Sequence, residues 1–204
     1  MIDRTIPYMP VMMVRNDNAD CEAYSLPQGY TFDFYNETTG RDDWIQVQLK
    51  SHQLEDDAFK AGQLFDSEFM DRPEELKTRM LFVRDEQGNP VANASLWFGS
   101  PFGEELDRIH WVATDEAHQG KGICRAMIKK LLDIHVEIGK PGKVYLISQT
   151  FSYPAIHVYT SCGFERYMGP EPMNWRVDAF EETAKNAWKL IDEKIDEYRK
   201  NRRK

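Results

Sequence analysis

The stretch "HQGKGICRAMIKKLL" (residues 118–132) places two glycines and a lysine directly in front of a strongly amphipathic run. Ahead of an ordinary surface helix a glycine pair has no use, because alanine favours the helix by about 1 kcal/mol per residue. At a helix N-terminus, glycines adopt backbone conformations closed to other residues and let main-chain amides approach an anion. With Lys121 as a mobile cation, the stretch predicts a cradle for the pyrophosphate of a nucleotide-like ligand.

The segments around this loop alternate between strand and helix patterns. "LDRIHWVAT" (106–114) predicts a strand that leads into the loop, and the helix after it runs from about 122 to 136. Two apolar runs flanking "DEQGNP" predict a β-hairpin. The sequence therefore predicts an α/β fold with a mixed sheet. Five other strands are predicted: 10–15, 30–35, "KVYLISQT", "FERYM" and "MNWRVD". Three other helices are predicted: one carries Trp44, Val47 and Leu54, a second carries Phe59, Phe65 and Phe69, and the third is "YPAIHVYTSCGF".

The C-terminal tail from residue 178 has the spacing of an amphipathic helix. We predict a single domain over 1–177 and a helix over 178–204 that packs on that domain. A dimerisation helix is the alternative, so a homodimer stays open. The apolar residues of this helix form one stripe, which consists of Phe180, Ala184, Trp188, Ile191, Ile195 and Tyr198.

Composition narrows the class of protein. The chain has 204 residues, is 41% apolar and carries a net charge of −8, which argues against a nucleic-acid binder. Cys21, Cys124 and Cys162 form no C-x-x-C pair, which fits a reducing, cytoplasmic setting. Prolines and charges interrupt the apolar N-terminus, so it is neither a signal peptide nor a membrane span. We therefore expect no nucleic-acid partner, no membrane partner and no metal site.

Two common phosphate-binding patterns do not fit the loop. It lacks both G-x-x-x-x-G-K-[ST] and G-x-G-x-x-G. The loop matches Q/R-x-x-G-x-G/A, and "WVATDEAHQGKGICRAMIKKLL" resembles the acetyl-CoA motif of the GNAT superfamily of N-acyltransferases. Gln119 stands where arginine is usual, and Cys124 replaces a glycine or alanine. Because cysteine is small, we expect phosphate binding to persist.

A second motif supports the resemblance. "AIHVYTSCGF" (155–164) resembles the family's A-x-x-x-Y-x-x-x-G-F segment, with Tyr159 at the tyrosine position. Upstream, "LPQGYTFDFYNETTGRDDW" is similar to the family's first strand and helix. The resemblance extends from about residue 10 to 177 and implies a mixed, mainly antiparallel central sheet flanked by helices.

The resemblance also implies a co-substrate and a reaction. Acetyl-CoA would pair its pantetheine arm with main-chain groups of Val112, Ala113 and Thr114. Its acetyl group would pass to a primary amine, on a small molecule or a peptide, by direct attack in a ternary complex. The pyrophosphate would rest on the amides of Gln119, Gly120, Lys121, Gly122, Ile123 and Cys124.

Two residues are candidates for proton transfer. Tyr159 is predicted to protonate the leaving thiolate, because a phenol with a pKa near 10 suits that task. His110 is predicted as the base, since imidazole accepts an ammonium proton and an alternating strand would place it on the same face as Thr114. Both could instead be packed side chains with satisfied hydrogen bonds. The rivals for the base are Asp107, Glu105 and Glu104.

Two other functions remain open at this point. The chain could be a catalytically silent acyl-CoA-binding regulatory module. It could also use a longer acyl donor or an aminoacyl donor in the same fold. Trp44, Trp97, Phe98 and Trp111 would then shape the pocket, although their spacing also suits core positions.

Overall fold

A computed structural model describes residues 2–16, 21, 24–139 and 142–202. In chain order the strands are β1 (Pro10–Arg15), β2 (Thr31–Phe34), β3 (Met80–Arg84), β4 (Pro90–Gly99), β5 (Leu106–Thr114), β6 (Val144–Gln149) and β7 (Glu165–Arg166). The helices are α1 (Gly40–Lys50), α2 (Ala58–Phe69), α3 (Leu76–Arg79), α4 (Ile123–Glu137), α5 (Tyr153–Ser161) and α6 (Phe180–Arg202). The predicted mixed, mainly antiparallel sheet with flanking helices and a C-terminal helix is confirmed.

The chain divides into two compact units. The first unit contains Met1–Ala19, Phe98–Arg108 and Gly142–Lys204, and the second contains Asp20–Trp97 and Ile109–Pro141. The predicted domain boundary between 177 and 178 stays a prediction. Within the part of the chain that the structure describes, no helix is long and apolar enough to cross a membrane.

The second unit is built on the neighbouring strands β2, β3, β4 and β5, in that order. The predicted hairpin joins β3 to β4, and the Asp85 carboxylate closes its turn by accepting hydrogen bonds from the amides of Gln87 and Asn89. The rings of Trp44, Phe65 and Phe69 form the aromatic part of the core between α1 and α2, with centroid distances of 5.1 to 6.0 Å.

Two residues that we placed on helical core stripes lie elsewhere. Leu54 falls outside α1, which ends at Lys50 and is followed by His52 at a φ of +57°. Phe59 is 74% exposed although it lies in α2. The Asp57 side chain caps α2 by accepting from the Lys60 amide. At about 100° per residue, the side chains of Phe59 and Phe65 point about 120° apart around the helix.

The first unit is built on β6, β1 and β7, with β1 in the middle and antiparallel to both neighbours. Val14 pairs with Tyr145 and with Glu165. The buried side chains of Met12, Val14 and Tyr145 form a core cluster. Within this unit, the N-terminal strand therefore lies between two strands from the C-terminal part of the chain.

The last predicted strands need correction. Within "FERYM" only Glu165–Arg166 forms a strand, and "MNWRVD" (173–178) forms none. The backbone there serves other contacts, since the Met173 amide donates to the Pro101 carbonyl and the Trp175 side chain packs on the Met12 cluster.

The amphipathic tail forms α6, as predicted, and packs within its own unit. Its buried residues Ala184, Ala187, Trp188, Ile191 and Ile195 recur every three or four positions. This face lies against α5 and β1. A homodimer stays a prediction.

Candidate active site

The glycine loop connects β5 to α4 through a short 3₁₀ turn at Glu116–His118. The Asp115 amide donates to the Val91 carbonyl, which ties the start of the turn to β4. Gly120 has a φ of +75° and Gly122 a φ of +88°, so both occupy the left-handed region that other residues rarely adopt. The prediction that these two glycines adopt backbone conformations closed to other residues is confirmed, and their role in binding an anion stays a prediction.

The two glycines have different surroundings. A Cβ atom added at Gly120 would meet nothing within 4 Å, so the space beside the backbone there is open. A Cβ atom at Gly122 would overlap the Tyr24 hydroxyl. Gly122 is also the N-cap of α4 and has no side chain to bond the first-turn amides. Among the residues that the structure describes, no side chain caps the α4 N-terminus, so its first-turn amides and its dipole can attract an anion.

Side chains fix the loop on both sides. The Gln119 amide group donates to the Thr114 carbonyl at 3.0 Å, which folds the loop back on the end of β5. The Lys121 ammonium donates to the Tyr30 hydroxyl at 2.9 Å. The Arg125 guanidinium lies 5.1 Å from the centre of the Tyr24 ring. Tyr24 and Tyr30 were not predicted, because nothing in their local sequence links them to a loop so far along the chain.

The strand that leads into the loop is irregular at Trp111, which has a φ of +48°. The Trp111 carbonyl accepts hydrogen bonds from the side-chain amides of Asn93 at 3.0 Å and Gln48 at 3.4 Å. The positive φ interrupts the regular pleat of the strand between His110 and Thr114. Because of this irregularity, simple alternation does not decide whether His110 shares a face with Thr114, and that placement stays a prediction.

His110 is buried and contacts a carboxylate and two aromatic rings. Its Nε2 lies 2.7 Å from a carboxylate oxygen of Glu68, in the last turn of α2. The imidazole lies against Phe69 and Trp111, with ring centroids 5.9 and 5.6 Å away. Glu68 is a residue that the sequence analysis missed, since the pairing joins α2 to β5 across a long separation.

The rival bases and the predicted acid belong to the first unit. Asp107 is buried near the start of β5, and Glu104 and Glu105 precede that strand. Tyr159 is buried in α5, and its ring lies 6.5 Å from that of Phe164. The carbonyl of Tyr159 accepts from the Phe164 amide, while Gly163 turns the chain at a φ of +84°. The catalytic role of Tyr159 stays a prediction.

Cys124 lies in the first turn of α4. The residue keeps some exposed surface, but its thiol is enclosed, and burial raises the pKa of that thiol to about 12. The thiol is therefore neutral at physiological pH, and a neutral thiol is a poor nucleophile. This agrees with the sequence analysis, which gave Cys124 a place in the loop and no catalytic role.

A mixed α/β fold in which a strand leads through two left-handed glycines into the N-terminus of a helix is the arrangement that the family resemblance implies. Residues 43–164 match the model of the acetyltransferase (GNAT) family. That match spans more than half of the chain, and the chain belongs to this family.

Individual relatives match shorter stretches or share only the fold. The chain is 38% identical over 58 residues to N-alpha-acetyltransferase RimI of Mycobacterium tuberculosis, a stretch of 28% of this chain and 34% of that protein. The GCN5-related N-acetyltransferase from Sphaerobacter thermophilus aligns with a TM-score of 0.62 at 15% identity, over 78% of this chain and 49% of its own. The GCN5-related N-acetyltransferase from Kribbella flavida aligns with a TM-score of 0.52 at 16% identity, over 80% of this chain and 55% of its own. The chain thus spans about half the length of these structures.

Proposed function

We propose that the chain is an acetyl-CoA-dependent N-acetyltransferase that transfers an acetyl group to a primary amine by direct attack in a ternary complex. The observation that carries the proposal is the pair of left-handed glycines before the uncapped N-terminus of α4, in a chain of the GNAT family. The acceptor is a small-molecule or peptide amine. A cytoplasmic location remains a proposal that rests on the cysteine pattern.

The loop residues fit the phosphate end of coenzyme A. Gly120 offers open space beside the backbone. The amides from Gly120 to Cys124 would bind the pyrophosphate there, at the positive end of the α4 dipole, whereas the Gln119 amide donates to the Glu116 carbonyl at 3.3 Å. The main chain of Val112, Ala113 and Thr114 lies directly before the loop and would hold the pantetheine arm, as the family resemblance implies. The co-substrate supplies an acetyl thioester.

Two side chains are proposed to move protons. His110 would accept the proton of the attacking amine, and Glu68 would hold its imidazole in place through the 2.7 Å hydrogen bond. The carboxylate would also stabilise the imidazolium that forms. The Tyr159 hydroxyl would donate its proton to the departing thiolate. Its assignment rests on the family's tyrosine position.

The test of the cofactor assignment is the substitution Gly120→Glu. A side chain fits at this position, so packing tolerates the change apart from the strain of a positive φ, about 1–2 kcal/mol. The carboxylate would stand where the pyrophosphate must approach. We expect isothermal titration to show coenzyme A binding to the wild type and none to the variant.

The matched control is Gly139→Glu at the other end of α4. Gly139 has a φ of +73° and also has nothing within 4 Å of an added Cβ atom, so the strain and the added charge are similar. The control should bind coenzyme A like the wild type. Wild-type affinity in folded Gly120→Glu would refute the proposed cofactor site. Gly122→Glu is less informative, because its side chain would also collide with Tyr24.

The activity itself is tested by thiol release with a panel of amines and acyl donors. The panel should contain small amines and peptides with free N-termini, the latter because the RimI relative is named an Nα-acetyltransferase. Release from acetyl-CoA with at least one amine supports the proposal. Coenzyme A binding without release across the panel would favour a silent binding module, and release only from longer acyl donors would correct the donor.

A further inference from the structure

Two buried side-chain amides act on β5 at its irregular point. Gln48 in α1 and Asn93 in β4 are both 0% exposed, and we call this pair the amide clamp. The Asn93 amide group donates to the Trp111 carbonyl at 3.0 Å. The Gln48 amide group donates to the Asn93 side-chain oxygen at 3.1 Å and to the Trp111 carbonyl at 3.4 Å. Asn93 is therefore the closer contact with β5, and Gln48 fixes the orientation of Asn93.

Packing alone does not explain a glutamine at position 48. The side chain is fully buried, and its Oε1 atom has no hydrogen-bond partner among the residues that the structure describes. A buried polar atom without a partner destabilises the folded state. Methionine would occupy a similar volume without that cost. The position is therefore better explained by what the amide group of Gln48 holds.

The residue that the clamp contacts has a backbone conformation that needs support. Trp111 has a φ of +48°, and a bulky residue keeps a positive φ only where the surrounding structure holds it there. The neighbouring carbonyls also accept from side chains, that of His110 from the Ser95 hydroxyl at 3.1 Å and that of Val112 from the Gln53 amide group at 3.4 Å. Side chains thus bond three consecutive carbonyls of β5, with the clamp at the middle one.

The torsion at Trp111 separates two parts of the proposed site, and each part has an anchor of its own. Before it, the His110 imidazole is held by the Glu68 carboxylate at 2.7 Å. After it, the Asp115 amide donates to the Val91 carbonyl at 2.8 Å, at the end of β5. A relaxation of φ at Trp111 would therefore shift the imidazole relative to the main chain that leads into the glycine loop.

We propose that Gln48 and Asn93 are positioning residues for the acetyl transfer. By holding the Trp111 carbonyl they keep the left-handed conformation of β5, and this conformation sets the His110 imidazole relative to the thioester of bound acetyl-CoA. Both residues act through the β5 backbone and touch none of the reacting atoms. This inference rests on the proposed function, since it concerns the geometry of that reaction.

The test separates turnover from binding. Gln48→Met keeps the length of the side chain and removes its amide group, so kcat should fall about tenfold. Asn93→Ala removes the closer contact and should lower kcat further, by about 10²-fold. In Gln48→Met the melting temperature should stay within about 3 °C of the wild type. Because the glycine loop lies beyond the clamp, the dissociation constant of coenzyme A should stay within about twofold in both variants.

The matched control is Gln46→Met, the same substitution in the same helix. Gln46 is half-buried and lies about 200° around α1 from Gln48, so its side chain points away from the clamp. The control should keep wild-type kcat, coenzyme A affinity and melting temperature. Thiol release from acetyl-CoA with the most active amine of the panel gives kcat, and titration calorimetry with coenzyme A gives the affinity.

The outcomes separate this inference from the proposed function. A loss of kcat in Gln48→Met, with coenzyme A affinity and melting temperature close to the wild type, supports the positioning role. Wild-type kcat in both folded variants would overturn that role and leave the proposed function intact. A parallel loss of kcat, affinity and melting temperature, or a failure of both variants to fold, would also overturn it, because the clamp would then serve the fold alone. A wild-type protein that releases no thiol with any amine would refute the proposed function and this inference together.

Discussion

At the scale of single residues, the glycine loop and the proton-transfer candidates depend on different kinds of information. Gly120 and Gly122 are needed for their backbone conformation, which the local sequence reveals. His110 depends on Glu68, which reaches it from α2. Substituting a glycine of the loop therefore tests binding, whereas the proton-transfer residues must be tested by turnover.

The residue-scale prediction concerns Tyr159. Tyr159→Phe removes one oxygen and little packing, so coenzyme A affinity and melting temperature should hardly change. If the phenol protonates the thiolate, turnover should fall by about 10²–10⁴-fold, the usual contribution of a positioned acid. Turnover and thermal stability should be measured on the same preparation. A variant with full turnover and a lowered melting temperature would instead give Tyr159 a packing role only.

At the scale of elements, α6 binds its own unit through one apolar stripe. Trp188 is the largest side chain of that stripe and is nearly fully buried. The Arg166 guanidinium lies 5.2 Å from its ring centre and also forms two hydrogen bonds with Asp192. The helix is therefore joined to β7 by both a packed ring and a charged pair.

The element-scale prediction follows from that burial. Trp188→Ala should lower the free energy of unfolding by about 3–5 kcal/mol, because it removes a buried aromatic ring and leaves a cavity. Lys189→Ala, at the next and exposed position, should change it by less than about 0.5 kcal/mol. Urea denaturation of both variants provides the comparison. Equal stability of the two would show that α6 contributes no packing energy to its unit.

At the scale of the whole molecule, the N-terminal strand is the middle strand of its unit. β1 lies between β6 and β7, although both come from the C-terminal part of the chain. The register pairs Met12 with Ile147, and Met12 also belongs to the core cluster with Tyr145. A substitution that destabilises β1 should therefore also destabilise the strands near the end of the sequence that pair with it.

The whole-molecule prediction uses Met12→Glu. A charge in the buried cluster should destabilise the unit by about 3 kcal/mol or more. Hydrogen exchange should show lost protection in peptides that contain β6, not only in those that contain β1. Met168→Glu, at an exposed methionine of the same unit, is the matched control and should leave exchange unchanged. Loss confined to the N-terminal peptides would contradict the central position of β1.

Short-range features were predictable from the sequence. The bounds of β5 and α4, the positive φ values of Gly120 and Gly122 and the amphipathic α6 follow from periodicity and turn chemistry, which involve residues a few positions apart. The glycine pair, its neighbours and the Tyr159 segment also sufficed to indicate the family. The local pattern was misleading where it was short, as at Phe59 and at "MNWRVD".

Only the tertiary structure decided which distant residues meet. Four features join segments that are far apart in sequence. They are the Glu68–His110 pair, the bonds from Gln48 and Asn93 to the Trp111 carbonyl, the Lys121–Tyr30 bond, and the insertion of β1 between β6 and β7. Such contacts depend on strand order and register, which arise when the whole chain buries its apolar faces together. A local pattern of polar and apolar residues does not specify which distant segment it will contact, so these contacts could be recognised only in the folded chain.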